Sequence, residues 1–212
     1  MLSLRAAIRS HIAGIVGQPE EARAYFARAD SYLIGKPARL VAVGGLSGTG
    51  KSHLARKLAP FLGAAPGAVV LRSDVLRKHL MGVSPETRLP PTAYGEAVTE
   101  KVYRLMMEQA DLALRAGHAV IVDAVSARPE QRAALSGLAA RIGVPFAGLW
   151  LEAEAGDLRR RIEGRRNNAS DATVEVLERQ LDYDLGPMEW RRIDSSGDKE
   201  HTVKQAREIL RV

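Results

Sequence analysis

The sequence predicts an α/β fold, a parallel sheet covered by helices on both faces. Three observations carry that expectation. Short apolar runs alternate with stretches of helical period along most of the chain, the order that a parallel sheet with crossover helices requires. A glycine-rich segment of anion-binding pattern lies between the first such run and the helix after it. The 212 residues suffice for one domain with an appendage, and a second full domain would not fit. Composition then narrows the function classes. With no cysteine, the chain has no disulfide scaffold, thiol nucleophile or thiolate metal site, in keeping with a reducing cytosol. There are 31 Lys and Arg against 25 Asp and Glu, a formal charge of +6, and the basic residues are mostly arginine, whose planar fork suits phosphate. Such a charge is compatible with nucleic acid but equally with a nucleotide anion. The longest apolar runs, such as Ala68 to Leu71, fall far short of the roughly 18–20 residues that span a bilayer. The opening MLSLRAAIRSHIAGIVG intersperses charge among its apolar residues, unlike the hydrophobic block of a signal peptide. A cytoplasmic protein without a membrane partner is expected.

The elements follow in order. Leu4, Ile8, Ile12 and Ile15 recur at spacings of four and three, the period of an amphipathic helix. A second helix is expected from about Glu20 to Leu33, and Lys36-Pro37 ends this appendage of residues 1–37. Arg39 to Val43 runs apolar into Gly44-Gly45, as a buried strand entering a turn does. Next come a helix over Lys51 to Leu62, a strand over Ala68 to Asp74, a helix over Val98 to Arg115 and a strand over His118 to Ala124. A helix over Pro129 to Ile142 and a strand over Phe146 to Glu152 lead to two helices between Ala155 and Leu185, which form a lid over about 156–185. A strand over Trp190 to Asp194 and a helix from about Lys199 to Leu210 close the domain, which spans residues 38–212 and holds five strands. His118 opens a strand and Trp150 lies inside an apolar one, so both are read as structural.

Gly45-Leu46-Ser47-Gly48-Thr49-Gly50-Lys51-Ser52 fits G-x-x-x-x-G-K-[ST] between a buried strand and a helix start, which is where the mechanism needs it. The glycines let backbone amides surround an anion, and the helix N-terminus adds a positive dipole. Gly45, Ser47, Gly48, Thr49, Gly50, Lys51, Ser52 and the following His53 are therefore the candidate ATP-binding residues. In this motif the lysine reaches the β and γ phosphates and the hydroxyl ligates Mg²⁺. Asp123 ends the third strand and is followed by Ala124, so it lacks the neighbouring glutamate with which ATPases activate water. No N-K-x-D guanine-reading motif occurs. What is left is transfer of the γ-phosphoryl group to an acceptor from outside.

Asp74 ends the second strand, on the rim where open parallel sheets bind ligands, and Arg77 follows three residues later. A carboxylate there can take a proton from an acceptor hydroxyl while the arginine holds an anionic group. Capping of the next helix by Ser73 or Asp74 is the competing explanation. Arg161 and Arg165, four apart after the fourth strand, share a helical face from which they can clamp phosphates as a lid closes. Asn167-Asn168 and Asp171 mark the lid loop, and Arg88 and Tyr94 in the Gly82 to Gly95 loop are candidate acceptor contacts.

The segments LVAVGGLSGTGKSHLARKL, VVLRSDVLRKHL, AVIVDAVSARPEQR, LRRRIEGRRNNASDATVEVLERQ and WRRIDSSGD resemble the P-loop kinases related to polynucleotide kinase, zeta toxin, gluconate kinase and chloramphenicol phosphotransferase. Within that group they are similar to the ATP-binding kinase-like domain often fused behind an aminoglycoside-phosphotransferase-like domain. The resemblance covers roughly Ala38 to Val212 and implies a P-loop fold with sheet order 2-3-1-4-5. It implies that Lys51 and Ser52 serve ATP and Mg²⁺, that Asp74 is the base with Arg77 on the acceptor, that Asp123 supports the metal, and that Arg161 and Arg165 are the lid arginines. Polynucleotide kinases have D-T-N where this chain has Asp123-Ala124-Val125, a departure that speaks against a nucleic-acid acceptor. Ala22 to Leu33 is similar to the tail of the domain preceding the P-loop in the fused proteins, which implies that residues 1–37 are a remnant of or a substitute for such a domain; the apolar face of the first helices is expected to need a partner, on the kinase core, on another subunit or on a separate phosphotransferase-like protein.

The expected activity is Mg-ATP-dependent transfer to a hydroxyl of a small molecule. Two other enzymes remain, a polynucleotide 5′-hydroxyl kinase and a nucleoside monophosphate kinase, although the latter's usual G-x-P-G-x-G-K-G is not what this P-loop reads. An ATP-binding regulatory module without transfer activity is the alternative from another class.

Overall fold

The computed structural model describes residues 1–33, 37–164 and 170–212. Two helices, α1 (Leu2–Ile15) and α2 (Pro19–Ser31), precede a five-stranded parallel sheet of order β2-β3-β1-β4-β5. Its strands are β1 (Leu40–Gly45), β2 (Val69–Arg72), β3 (Val120–Asp123), β4 (Phe146–Glu152) and β5 (Arg191–Asp194). The helices between and after them are α3 (Lys51–Leu58), α4 (Ser73–Leu80), α5 (Glu96–Arg115), α6 (Pro129–Ile142), α7 (Ala155–Glu163), α8 (Val174–Leu181) and α9 (Lys199–Leu210). The expected order of strands is thus the observed one. Two boundaries differ in a way that matters. The second strand ends at Arg72, and Ser73 and Asp74 already belong to α4. The helix after the P-loop ends at Leu58 and gives way to a 3-10 turn over Ala59–Phe61, because Pro60 has no N–H for a further helical bond.

Strand side chains alternate between the two faces of a sheet, and here both faces are buried. Along β1, Leu40 and Ala42 enter one core and Val41 and Val43 the other; along β3, Val120 and Val122 separate from Ile121 in the same way. The first core is closed by Val102, Met106, Ala110 and Leu114 of α5 and Leu135, Leu138 and Ala139 of α6. Leu54, Ala55 and Leu58 of α3 and Val203, Ala206 and Leu210 of α9 close the second. Each large aliphatic side chain contributes about 1.5–3 kcal/mol on burial, so the sheet is a rigid platform and its C-terminal rim is held in place from both sides. A third, small core joins α7 and α8 through Leu158, Ile162 and Leu177, with Leu46 packed against it. That contact ties the lid helices to the loop after β1.

The N-terminal hairpin leaves the apolar stripe of its first helix uncovered. The stripe of Leu4, Ile8, Ile12 and Ile15 stays 61, 50, 53 and 72% exposed, while Ala6, Ala13 and Ala29 are buried. Small residues let the two helices approach closely enough for the Ser3 hydroxyl to donate to the Ala29 carbonyl at 3.0 Å and Ser10 to that of Ala22 at 2.7 Å. The helices therefore pair through alanine and serine, and the larger apolar side chains face outward rather than onto the sheet domain. Among the described residues no helix is long and apolar enough to cross a membrane.

Candidate active site

The loop between β1 and α3 turns on glycine. Gly50 caps α3 with φ +92°, and Gly48, at φ +94°, lies so close to α7 that a Cβ there would stand 2.9 Å from the Leu158 carbonyl oxygen. The left-handed backbone disfavours other residues at both positions, and at Gly48 the lack of room does so as well. Lys51 opens α3 and donates from Nζ to the Leu46 carbonyl at 2.9 Å, and Thr49 donates to the same oxygen at 2.8 Å. The Ser47 amide donates to Oε1 of Gln180 on α8 at 2.8 Å, a second tie between lid and loop.

One cleft of about 1780 Å³ gathers Ser47 to His53, Asp74, Arg77, Arg88, Tyr94, Asp123 and Arg161. Of the candidates, Gly45 ends β1 beneath the loop, and Arg165, like Asn167 and Asn168, lies outside the described residues. Asp123 is 4% exposed. Burial pushes its carboxyl up, against which Lys51, a hydrogen bond with Ser52 and Arg72 hold the charged form. Ser52 and Asp123 are adjacent oxygen donors at a phosphate loop, a set that fits Mg²⁺, which is held by one or two carboxylates together with substrate phosphates. His53 is held neutral-leaning by burial and by Lys199 and Lys57. Arg72, at the end of β2, was not anticipated as part of the site.

Asp74 stands in the first turn of α4, and the helix has no side-chain hydrogen bond at its N-cap, which is Arg72. Capping by Ser73 or Asp74 is therefore not what this helix uses. The Asp74 carboxylate acts electrostatically on Asp123, Arg77 and Tyr94, and all four line the same cleft. Arg77 is 6% exposed. It donates to the Ala93 carbonyl at 2.7 Å and the Thr99 hydroxyl at 3.2 Å, with its guanidinium 4.8 Å from the Tyr94 ring centre. Expected as an anion clamp on the acceptor, it lines the cleft while bracing the wall that carries Tyr94.

The lid and that wall are joined by Asp171. Its carboxylate accepts from the Tyr94 hydroxyl at 2.7 Å, the Leu89 amide at 3.0 Å and Lys78 Nζ at 3.1 Å. Burial opposes its ionisation, but these donors outweigh it and its carboxyl is held below the usual range. Burial and the bond to Asp171 push the Tyr94 phenol well up, so it remains a hydrogen donor. The Lys78 and Asp171 side chains are only 1% and 8% exposed. Removing one partner of such a pair strands the other, at about 3–5 kcal/mol. Asp171→Ala is accordingly expected to lose that much stability in urea titration, and a loss under about 1 kcal/mol would show that water reaches Lys78 instead.

Arg161 of α7 donates from Nη2 to the carbonyls of Ser195 at 2.6 Å, Ser196 at 3.0 Å and Gly197 at 3.4 Å. It thus links the lid to the turn after β5 at the edge of the cleft. Gln180, Lys78, Thr99 and Arg72 are the residues of this site that sequence spacing did not single out.

A family model described as AAA domain matches residues 40–184. Among curated proteins, the chain is 33% identical over 224 residues to Uncharacterized protein Rv2004c of Mycobacterium tuberculosis, covering 99% of this chain and 43% of that one, and Mb2027c of Mycobacterium bovis matches equally. The match takes in the α1–α2 hairpin, and the chain spans less than half the length of these relatives. Among solved structures it is similar to a sugar kinase from Janibacter sp. HTCC2649 (TM-score 0.58, 21% identity, 83% of this chain and 96% of that one). A gluconokinase from Sinorhizobium meliloti gives TM-score 0.53 at 21% identity over 80% and 89% of the two chains. The Deinococcus radiodurans tunicamycin resistance protein gives 0.54 at 20% over 81% and 95%. At this identity what is shared is the fold, that of P-loop kinases.

Proposed function

The chain belongs to the AAA domain family and has the P-loop kinase fold, and from that premise we propose that residues 38–212 transfer the γ-phosphoryl group of Mg-ATP to a hydroxyl of a small molecule. The observation that carries the reading is that one continuous cleft is lined both by the P-loop and by Asp74, Arg88 and Tyr94. Its volume of about 1780 Å³ exceeds the roughly 300–1,000 Å³ of a site for one small ligand, which leaves space for a nucleotide and a second reactant.

ATP supplies the phosphoryl group; Ser52 and Asp123 would hold the Mg²⁺, which when bound would neutralise charge on the phosphates. Lys51 exchanges the Leu46 carbonyl for phosphate oxygen and stabilises the charge that spreads over the transferring group. Asp74 accepts the acceptor's hydroxyl proton as the new O–P bond forms and the bond between the γ-phosphorus and its bridging oxygen breaks, leaving ADP. The helices α7 and α8, fixed to the P-loop by Leu46 and Gln180, shield the reacting atoms from water.

The test is transfer from γ-labelled ATP to sugars, aminoglycosides, nucleosides and 5′-hydroxyl oligonucleotides. A labelled small molecule supports the reading. Labelling of the oligonucleotide alone, with steep salt dependence, makes the chain a polynucleotide kinase, and ATP binding without any product makes it a regulatory module. A lid arginine acting on transition-state charge shows itself in rate more than in affinity. Arg161→Ala is therefore expected to slow transfer by about tenfold or more while ATP affinity changes by less than about threefold. Equal losses in both would leave Arg161 with only the bracing of the Ser195 to Gly197 turn.

A further inference from the structure

Arg72 and Asp123 are register partners on the adjacent strands β2 and β3, at the rim where the cleft opens. The guanidinium donates from Nε to Oδ2 of Asp123 at 3.3 Å and from Nη2 to Oγ of Ser52 at 3.2 Å. One guanidinium thus bridges the serine hydroxyl and the carboxylate, with the Arg72 side chain 19% exposed and Asp123 4%.

A guanidinium is permanently charged, weakly hydrated and planar, which suits it to neutralise a buried carboxylate next to a hydroxyl. The same two oxygen groups are the ones that fit Mg²⁺, and a small divalent cation demands their lone pairs in near-octahedral geometry. A hydroxyl has two acceptor lone pairs, one of which Arg72 occupies on Ser52. A single positive charge beside the pair also opposes the arrival of two more. We propose that Arg72 is a built-in counter-cation of the Ser52–Asp123 pair that competes with magnesium for it, so that metal loading of the P-loop site is coupled to release of the guanidinium. The inference rests on the P-loop being a Mg-nucleotide site. By linkage, a conformation that holds the pair closed lowers apparent metal affinity by the fraction of molecules in the open form. Without metal, the arginine supplies part of the positive charge that the metal would bring.

Both effects make nucleotide binding less dependent on metal than it would be without Arg72. The readout is the ratio of the dissociation constant of N-methylanthraniloyl-ATP in EDTA to that in saturating Mg²⁺, for the full chain and for Arg72→Met. If the closed form accounts for about nine molecules in ten, the ratio rises about tenfold in the variant. Lys51 also acts on Asp123, so the carboxylate retains a compensating charge. Arg72→Gln keeps a hydrogen donor for Asp123 without the charge and serves where the methionine variant does not fold; its ratio is expected to rise as well. A ratio unchanged or lowered in the folded variant overturns the inference alone. Failure of the unmodified chain to bind the nucleotide in either buffer overturns the Mg-nucleotide reading, and the inference with it.

Discussion

Replacing Lys51 with alanine is expected to cut phosphoryl transfer by about 10² to 10³ or more, the range seen when one positioned charge-stabilising donor is removed, and to leave the fold intact. The side chain is half-buried at the first position of α3 and donates to the Leu46 carbonyl. It lines the cleft rather than either core of the sheet. Losing that bond costs on the order of 1 kcal/mol, or about 2–4 °C in melting temperature for a chain of this size. The loss of rate is larger because the ammonium meets its full electrostatic partner only when a phosphoryl group is passing between oxygens. A Lys51→Ala variant that turns over at the wild-type rate would remove the P-loop from the mechanism. One that melts more than 10 °C early would show Lys51 to be structural.

The parts of this fold that were legible in the sequence are those with local punctuation. Helix α6 keeps its expected bounds because Pro129 opens it and Gly143, at φ +80°, closes it. Strand β4 keeps its bounds because its buried centre, Gly148 to Leu151, is flanked by half-buried residues at either end. The start of α4 was read as strand because Arg72-Ser73-Asp74 continues an apolar run without a glycine or proline between, and the chain passes from β2 to α4 without a loop. Periodicity in α1 correctly grouped Leu4, Ile8, Ile12 and Ile15 on one face, but a period says which residues lie together and not what covers them. Arg72 and Gln180 meet their partners 51 and 133 residues away. Only strand register and lid packing bring them there, and no spacing within one segment encodes either. The D-x-x-R pattern places Arg77 at the cleft, where it lies; its burial against Tyr94 depends on how the 82–95 loop folds back onto α5, which is likewise a tertiary fact.

Asp74→Asn is the substitution on which the choice of reaction turns. Asparagine matches aspartate in size and keeps hydrogen-bonding capacity, but it cannot take a proton from a hydroxyl. Because α4 has no side-chain bond at its N-cap, the variant forfeits no cap. The first turn loses one acidic side chain from a helix N-terminus, worth about 0.3–1 kcal/mol at an accessible site. Folding and ATP affinity are therefore expected to stay near wild type, since the nucleotide's own contacts are made by the P-loop. Transfer is expected to fall by about 10² to 10⁴, the usual contribution of a positioned base. The fall should appear in kcat and in kcat/KM for the acceptor alike, as it does when the lost interaction exists only in the transition state. If instead the acceptor's KM rises and kcat holds, Asp74 orients the hydroxyl through a hydrogen bond and another group takes the proton. If stability falls by several kcal/mol and the rate survives, the carboxylate is part of the scaffold around Arg77 and Tyr94, and the assignment of Asp74 as base is wrong.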